Sequence, residues 1–167
     1  MHLHEFKKVA LTKGGQSLLD ALATRVVIAD GAMGTMLQDQ KPTLEDFEGH
    51  EGCNEVLNVT RPDIVLNVHN AYFEAGVDCV ETNTFGANWS NLSDYGIDDR
   101  IFELAKAGAQ LARKSADSFS EKDGKDRFVL GSMGPGTKLP SLGHTTYAHL
   151  KDTFALQAKG LIEGGAD

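Results

Sequence analysis

Cysteine is nearly absent. Cys53 and Cys79 are the only two among 167 residues. Two cysteines cannot build a disulfide framework, and their separation is far from the C-x-x-C spacing of a zinc site. Basic residues are also short: 16 Lys and Arg stand against 24 Asp and Glu, a net charge of −8. No basic stripe is visible, which argues against a nucleic-acid partner. No apolar run approaches the ~18 residues of a membrane helix, and no signal-peptide pattern opens the chain. An acidic, leaderless chain with two lone cysteines reads as cytoplasmic. Reactive motifs are missing too, with no G-x-S-x-G elbow and no Ser/His/Asp set. There is no low-complexity segment and no internal repeat beyond an alternation of strands and helices.

What is present is a recurring pattern. Apolar runs that read as buried strands lead directly into polar, small-residue turns. Arg25 to Ala29 runs into Asp30-Gly31-Ala32-Met33-Gly34-Thr35. Val77 to Val80 runs into Glu81-Thr82-Asn83-Thr84-Phe85-Gly86. Phe128 to Leu130 runs into Gly131-Ser132-Met133-Gly134-Pro135-Gly136. Parallel α/β proteins place their sites at the carboxyl ends of strands, where loops vary while strands hold position. These turns therefore read as the walls of one site.

Helices separate the strands. Residues 1–24 read as an N-terminal extension with a short amphipathic helix from Leu11 to Ala23, weakened at its start by Gly14-Gly15. Gln38 to Asn58 is polar and irregular and reads as a long loop. Thr60-Arg61-Pro62-Asp63 opens a helix, with Thr60 as cap and Pro62 in the first turn. Gly76 stops it. A second helix spans Asp99 to Ser115, with Gly108 on its apolar stripe, and a charged turn follows from Glu121 to Asp126. A third helix begins near Thr145 or Thr146 and stops at Gly164-Gly165. Ala166 and Asp167 stand where a further strand should begin. The chain thus reads as α/β, a set of parallel βα units, apparently truncated.

Candidate site residues follow from the turns. Successive amides around Gly31 and Ala32 suit an anion such as a carboxylate, and Asp30 adds an acceptor. Thr82, Asn83 and Thr84 bring polar groups to a buried strand end, where they are costly without a purpose. Strand alternation puts Glu81 and Asn83 on one side and Thr82 and Thr84 on the other. The Gly131 turn matches neither G-x-G-x-x-G nor G-x-x-x-x-G-K-[ST], so it reads as giving close approach to a ligand rather than as a nucleotide loop. His2 and His4 form at most a two-point clamp. His69 reads as a half-buried helix residue, and His144 and His149 as flanking the third helix. No residue presents itself as catalytic or as part of a metal site.

Taken together, these strings resemble a known family. Val27 to Gln38, Gly52-Cys53-Asn54-Glu55, Val68 to Gly76, Glu81-Thr82-Asn83-Thr84-Phe85 and Gly131 to Pro135 are similar to the homocysteine-binding barrel of the cobalamin-dependent methionine synthases. The stand-alone homocysteine methyltransferases share the first turn more loosely. The resemblance runs from Arg25 to Asp167. It implies the first three βα units of a (β/α)8 TIM barrel and a parent enzyme that methylates homocysteine to methionine. In that family zinc binds the homocysteine thiolate, and cobalamin carries a methyl group taken from methyltetrahydrofolate. Asp30, Gly31 and Ala32 would bind the substrate carboxylate, Thr82, Asn83 and Thr84 would line the pocket, and Gly131 would give clearance. The resemblance places the zinc cysteines on strands beyond Asp167, so no cofactor is expected on this piece. Homocysteine is the expected partner, with methyltetrahydrofolate and cobalamin reached through later domains. The alternatives are a non-catalytic small-molecule-binding α/β domain and a stand-alone homocysteine S-methyltransferase without cobalamin.

Overall fold

Two short strands pair in parallel at the centre of the fold. β1 (Cys79–Glu81) lies beside β2 (Phe128–Leu130), with Val80 opposite Val129. The computed structural model describes residues 11–167, so His2 and His4 fall outside the described residues. The first expected strand, Val26 to Ala29, is reduced to one parallel bridge from Ala29 to Cys79. The Ile28 carbonyl accepts from the Asp78 and Cys79 amides, and the Asp30 amide donates to the Cys79 carbonyl. Val26 is 82% exposed and Ile28 56% exposed. Every pairing described is parallel, as alternating strands and helices require.

The helices account for most of the core. α1 (Lys13–Thr24) is capped by the Thr12 hydroxyl, which accepts from the Gly15 amide at 2.9 Å. α2 (Gly34–Asp39) leads into turns, a 3-10 turn at Asn54–Val56 and then α3 (Leu57–Thr60). The expected open loop over Gln38 to Asn58 is therefore partly structured. Its few apolar residues explain why: Leu37, Phe47 and Leu57 are buried with Ile64, Val65 and Val68 of α4 (Pro62–Ala75). Thr60 does not cap α4. Its hydroxyl bonds back to the Val56 carbonyl, and Arg61 takes the cap position without a side-chain bond. Gly76 closes the helix at φ +100°, a conformation that glycine adopts without strain.

After the brief α5 (Trp89–Leu92), α6 (Ile101–Asp123) runs well past the expected end at Ser115. Ala112, Ala116 and Phe119 extend its apolar stripe onto Phe73, Val80 and Val129. Half of the expected charged turn is thus helix, ended by Gly124. This packing buries Val80 and Val129 fully, so their faces are covered rather than open. α7 (Tyr147–Gly164) is capped by Thr146 and packs on α6 through Gly160 and Gly164. A β-carbon on Gly164 would lie 2.5 Å from the Lys106 carbonyl oxygen. Beyond α7, the Asp167 amide donates to the Val129 carbonyl at 3.0 Å. The Asp167 carboxylate takes the Val129 amide and the Arg113 guanidinium. Among the described residues, no helix is long and apolar enough to cross a membrane.

Candidate active site

A cavity of about 310 Å³ opens at the carboxyl ends of β1, β2 and the Ala29 segment. Five expected residues line it: Asp30, Gly31, Thr82, Asn83 and Thr84. Met33, Gly34, Asn54, Glu55, Glu81, Phe85 and Ser132 complete the lining. Ala32 and Gly131 are not part of it. The Ala32 carbonyl accepts from the Tyr72 hydroxyl at 2.9 Å. A β-carbon on Gly131 would point at Leu161, 3.1 Å away. Its lack of a side chain makes room for Leu161 of α7.

The threonine hydroxyls are already spent within the protein. Thr82 and Thr84 lie on one side, as strand alternation requires, with their oxygens 2.6 Å apart. Thr84 donates to the Ser132 carbonyl and Thr82 accepts from the Ser132 amide. They staple the β1 turn to the β2 turn. Asn83 has the same kind of role. Its amide donates to the Asn54 carbonyl at 2.8 Å and to the Asn58 side-chain oxygen at 3.0 Å. The Asn58 amide in turn reaches the carbonyls of Asn83 and Leu104, which ties the site to α6. Gln157 of α7 donates to the Thr84 carbonyl at 2.8 Å. Gly108 is what admits this network beside α6: a β-carbon there would lie 2.6 Å from the Thr84 methyl and 2.7 Å from the Asn58 amide.

Carboxylates dominate the remaining chemistry. Both Asp30 oxygens accept from the Glu81 amide at 3.0 Å. Burial, assisted by the nearby Glu81 charge, pushes the Asp30 carboxyl up to about 6. Glu55 accepts from the Gly86 amide at 2.7 Å, and burial raises its carboxyl above the ordinary range. Sequence reasoning did not single out Glu55. Its string, Gly52-Cys53-Asn54-Glu55, looks like a solvated loop, and no local periodicity marks its glutamate as buried. Gly31 is not among the glycines with positive φ, so a side chain there would not strain the backbone. A β-carbon on it would meet the Tyr72 hydroxyl at an ordinary 3.4 Å.

The glycines of the turn after β2 pack it closely against protein, while its Ser132 lines the cavity. The Gly134 amide donates to the Phe85 carbonyl at 3.0 Å, and Gly136 packs against Ser90 at φ +72°. Lys138 anchors the segment through the Ser90 carbonyl, the Ser93 hydroxyl and Asp94. Among the described residues, no three His, Cys, Asp or Glu side chains converge on a metal position. Burial pushes the Cys53 thiol up to about 12 and the Cys79 thiol up to about 11. A metal-binding thiolate needs the opposite shift. His69 is fully buried rather than half-buried; burial lowers it to about 4, and neither ring nitrogen has a partner.

The sequence profile of the Homocysteine S-methyltransferase family matches residues 27–167, a span that contains the whole cavity. The chain belongs to that family. It is 59% identical to the methionine synthase of Mycobacterium tuberculosis and 58% identical to that of Mycobacterium leprae. Each match spans 150 residues, 90% of this chain but 12% of the relative's length. Among solved structures, the oxidized and metallated forms of the Escherichia coli homocysteine methyltransferase MmuM superpose with a TM-score of 0.69 at 21% identity. That superposition covers 93% of this chain and 55% of the other, and it shows a shared fold.

Proposed function

We propose that this chain is the substrate-recognition part of a methionine synthase, and that the whole enzyme methylates homocysteine to methionine. The observation that carries the reading is the position of the cavity. It lies at the strand carboxyl ends, inside the span that matches the family. On this reading residues 25–167 form the first three βα units of a (β/α)8 barrel, and residues 1–24 are an extension with a short helix. We place the whole enzyme in the cytoplasm, a reading supported by the acidic composition and the two lone cysteines.

The residues at hand bind and orient the substrate. The amides of the Gly31 turn hold its carboxylate, beside a wall built by the Thr82, Asn83 and Thr84 turn. That wall is rigid because each of its polar side chains is bonded within the protein. Rigidity matters because a reacting group held in place meets its partner without a further entropy cost. In the whole enzyme zinc, when bound, favours the thiolate form of homocysteine, and cobalamin carries the methyl group derived from methyltetrahydrofolate. The described residues do not fit a zinc site, so we place both cofactors elsewhere in the enzyme and route no step through this chain's cysteines.

The reading is tested by titrating the chain with homocysteine and following backbone amide signals by NMR, which reads millimolar affinities. The amides of Gly31, Gly34 and Ser132 shift saturably, while that of Thr146 does not. No saturable shift at millimolar ligand would overturn the proposal.

A further inference from the structure

We propose that Tyr72 is a positioning residue of the substrate site: its hydroxyl turns the peptide between Ala32 and Met33 so that the Met33 amide faces the cavity. The proposal rests on the homocysteine reading above and names what orders the turn on which that reading depends. Tyr72 sits on α4, outside the cavity lining. Its hydroxyl donates to the Ala32 carbonyl at 2.9 Å. Among the described residues, no other side chain bonds to the backbone of Gly31, Ala32 or Met33.

A planar trans peptide points its carbonyl and its amide in opposite directions. The Ala32 carbonyl is drawn outward to Tyr72, so the Met33 amide is directed back toward the cavity that Met33 lines. That amide has no partner among the described residues. The rest of Met33 is committed. Its carbonyl accepts from the Leu37 amide at 3.0 Å, and its side chain packs on the cluster of Leu37 and Phe47. The amide is therefore what Met33 offers a ligand. Tyr72 can impose this order because its ring is held from two sides. It packs against the cluster of Leu37, Ile64 and Val68 and against that of Phe73, Val80 and Val129. Without the hydroxyl the turn has little to fix it, since Gly31 and Ala32 are exposed and Gly31 brings no side chain. A donor fixed before the ligand arrives costs less ordering on binding. Accurate placement matters here, because Asp30, Glu55 and Glu81 line the same cavity and repel a misplaced carboxylate.

The experiment titrates homocysteine, 4-mercaptobutyrate and 3-mercaptopropylamine into the wild-type chain and Tyr72→Phe, following backbone amides by NMR. The second ligand lacks the amino group and the third lacks the carboxylate. In the wild type the Met33 amide shifts saturably with the two carboxylates and stays still with the amine. Tyr72→Phe keeps the ring in its two clusters and removes only the oxygen. It weakens both carboxylates by about two- to tenfold, the range of one hydrogen bond. At saturation its Met33 shift is smaller than in the wild type while that of Ser132 is unchanged, a contrast that a general loss of stability does not produce. An unchanged affinity or an unchanged Met33 response in Tyr72→Phe overturns the assignment. So does a variant in which the Met33 and Ser132 responses fall alike. If Tyr72→Phe does not fold, the wild-type titrations decide: a Met33 amide that is silent to both carboxylates, or moved equally by the amine, overturns it. Homocysteine that moves no cavity amide overturns the substrate reading. Homocysteine that moves Gly34 and Ser132 but not Met33 removes the role of Tyr72 alone.

Discussion

At the scale of single residues, the buried His69 and the half-buried Asp30 pull stability in opposite directions with pH. His69 titrates at about 4 in the folded chain because burial disfavours its charged form. The unfolded chain binds that proton first, near the ordinary 6.5. The contribution of neutral His69 is thus complete above pH 6.5 and lost as pH falls toward 4, a swing of about 3 kcal/mol. His69→Leu, which cannot titrate, holds its stability through that window in urea unfolding, where the wild type declines. Asp30 has the reverse sign. Its carboxyl is raised from 3.8 to about 6, so its contribution is present below 3.8 and lost as pH rises through 6. Asp30→Asn is accordingly more stable than the wild type at pH 7, and the advantage vanishes in melts below about pH 4. A substitution at Gly108 decides between two effects. Alanine gains up to about 1 kcal/mol of helix propensity. Overpacking against Thr84 and Asn58, both buried and hydrogen-bonded, costs about 1–3 kcal/mol. Gly108→Ala is therefore destabilised, seen as a lower urea midpoint with an unchanged slope.

Elements differ in how far the sequence discloses them. The long helices are legible because their signals are local. Ile64, Val68, Tyr72 and Ala75 recur at helical spacing, Gly76 and Gly165 supply left-handed stops, and Thr146 caps its helix through the His149 amide. Asp30, Gly31, Thr82, Asn83 and Thr84 are legible as cavity residues because they end apolar strands. The rest depends on partners distant in sequence. The Val26 to Ala29 run carries strand propensity, but its pairing with β1 is confined to the Ala29 bridge. Glu55 reads as loop until Gly86 closes on it. The Gly131 turn reads as ligand-binding until Lys138 is seen fastening it to Ser90, Ser93 and Asp94. That fastening makes a prediction for the turn as an element. Lys138→Met frees it, so the amides of Gly134, Thr137 and Lys138 exchange faster with solvent in hydrogen-exchange measurements. The amides of β2 keep their protection, since Val129 is held by Asp167 and the sheet. Equal exchange in both proteins would show that the glycines hold the turn unaided.

For the whole molecule, the outer side of the Ala29 segment is the place where the chain meets its surroundings least comfortably. Val26 and Ile28 are exposed there beside backbone groups that pair on one side. Exposed apolar edges invite association. The net charge of −8 opposes it at neutral pH, and that opposition fades near the isoelectric point of about 5.2. The chain therefore self-associates in sedimentation velocity as its concentration rises, and more strongly near pH 5. Ile28→Lys reduces the effect at both pH values. A concentration-independent monomer at pH 5 would show that this edge is inert.

The bond from Asn58 to the Leu104 carbonyl also gives the cavity a place in the order of folding. Asn58, which braces the Asn83 wall, is itself held by α6, 46 residues later in the chain. A chain emerging from synthesis can form the Gly31 turn and β1 before α6 exists, but at that point the wall has no anchor behind it. Ligand competence thus arrives late, after the long helix has docked. A ligand of this cavity, added to a refolding chain, would then act as a timestamp for the docking of α6 rather than for the formation of the strands.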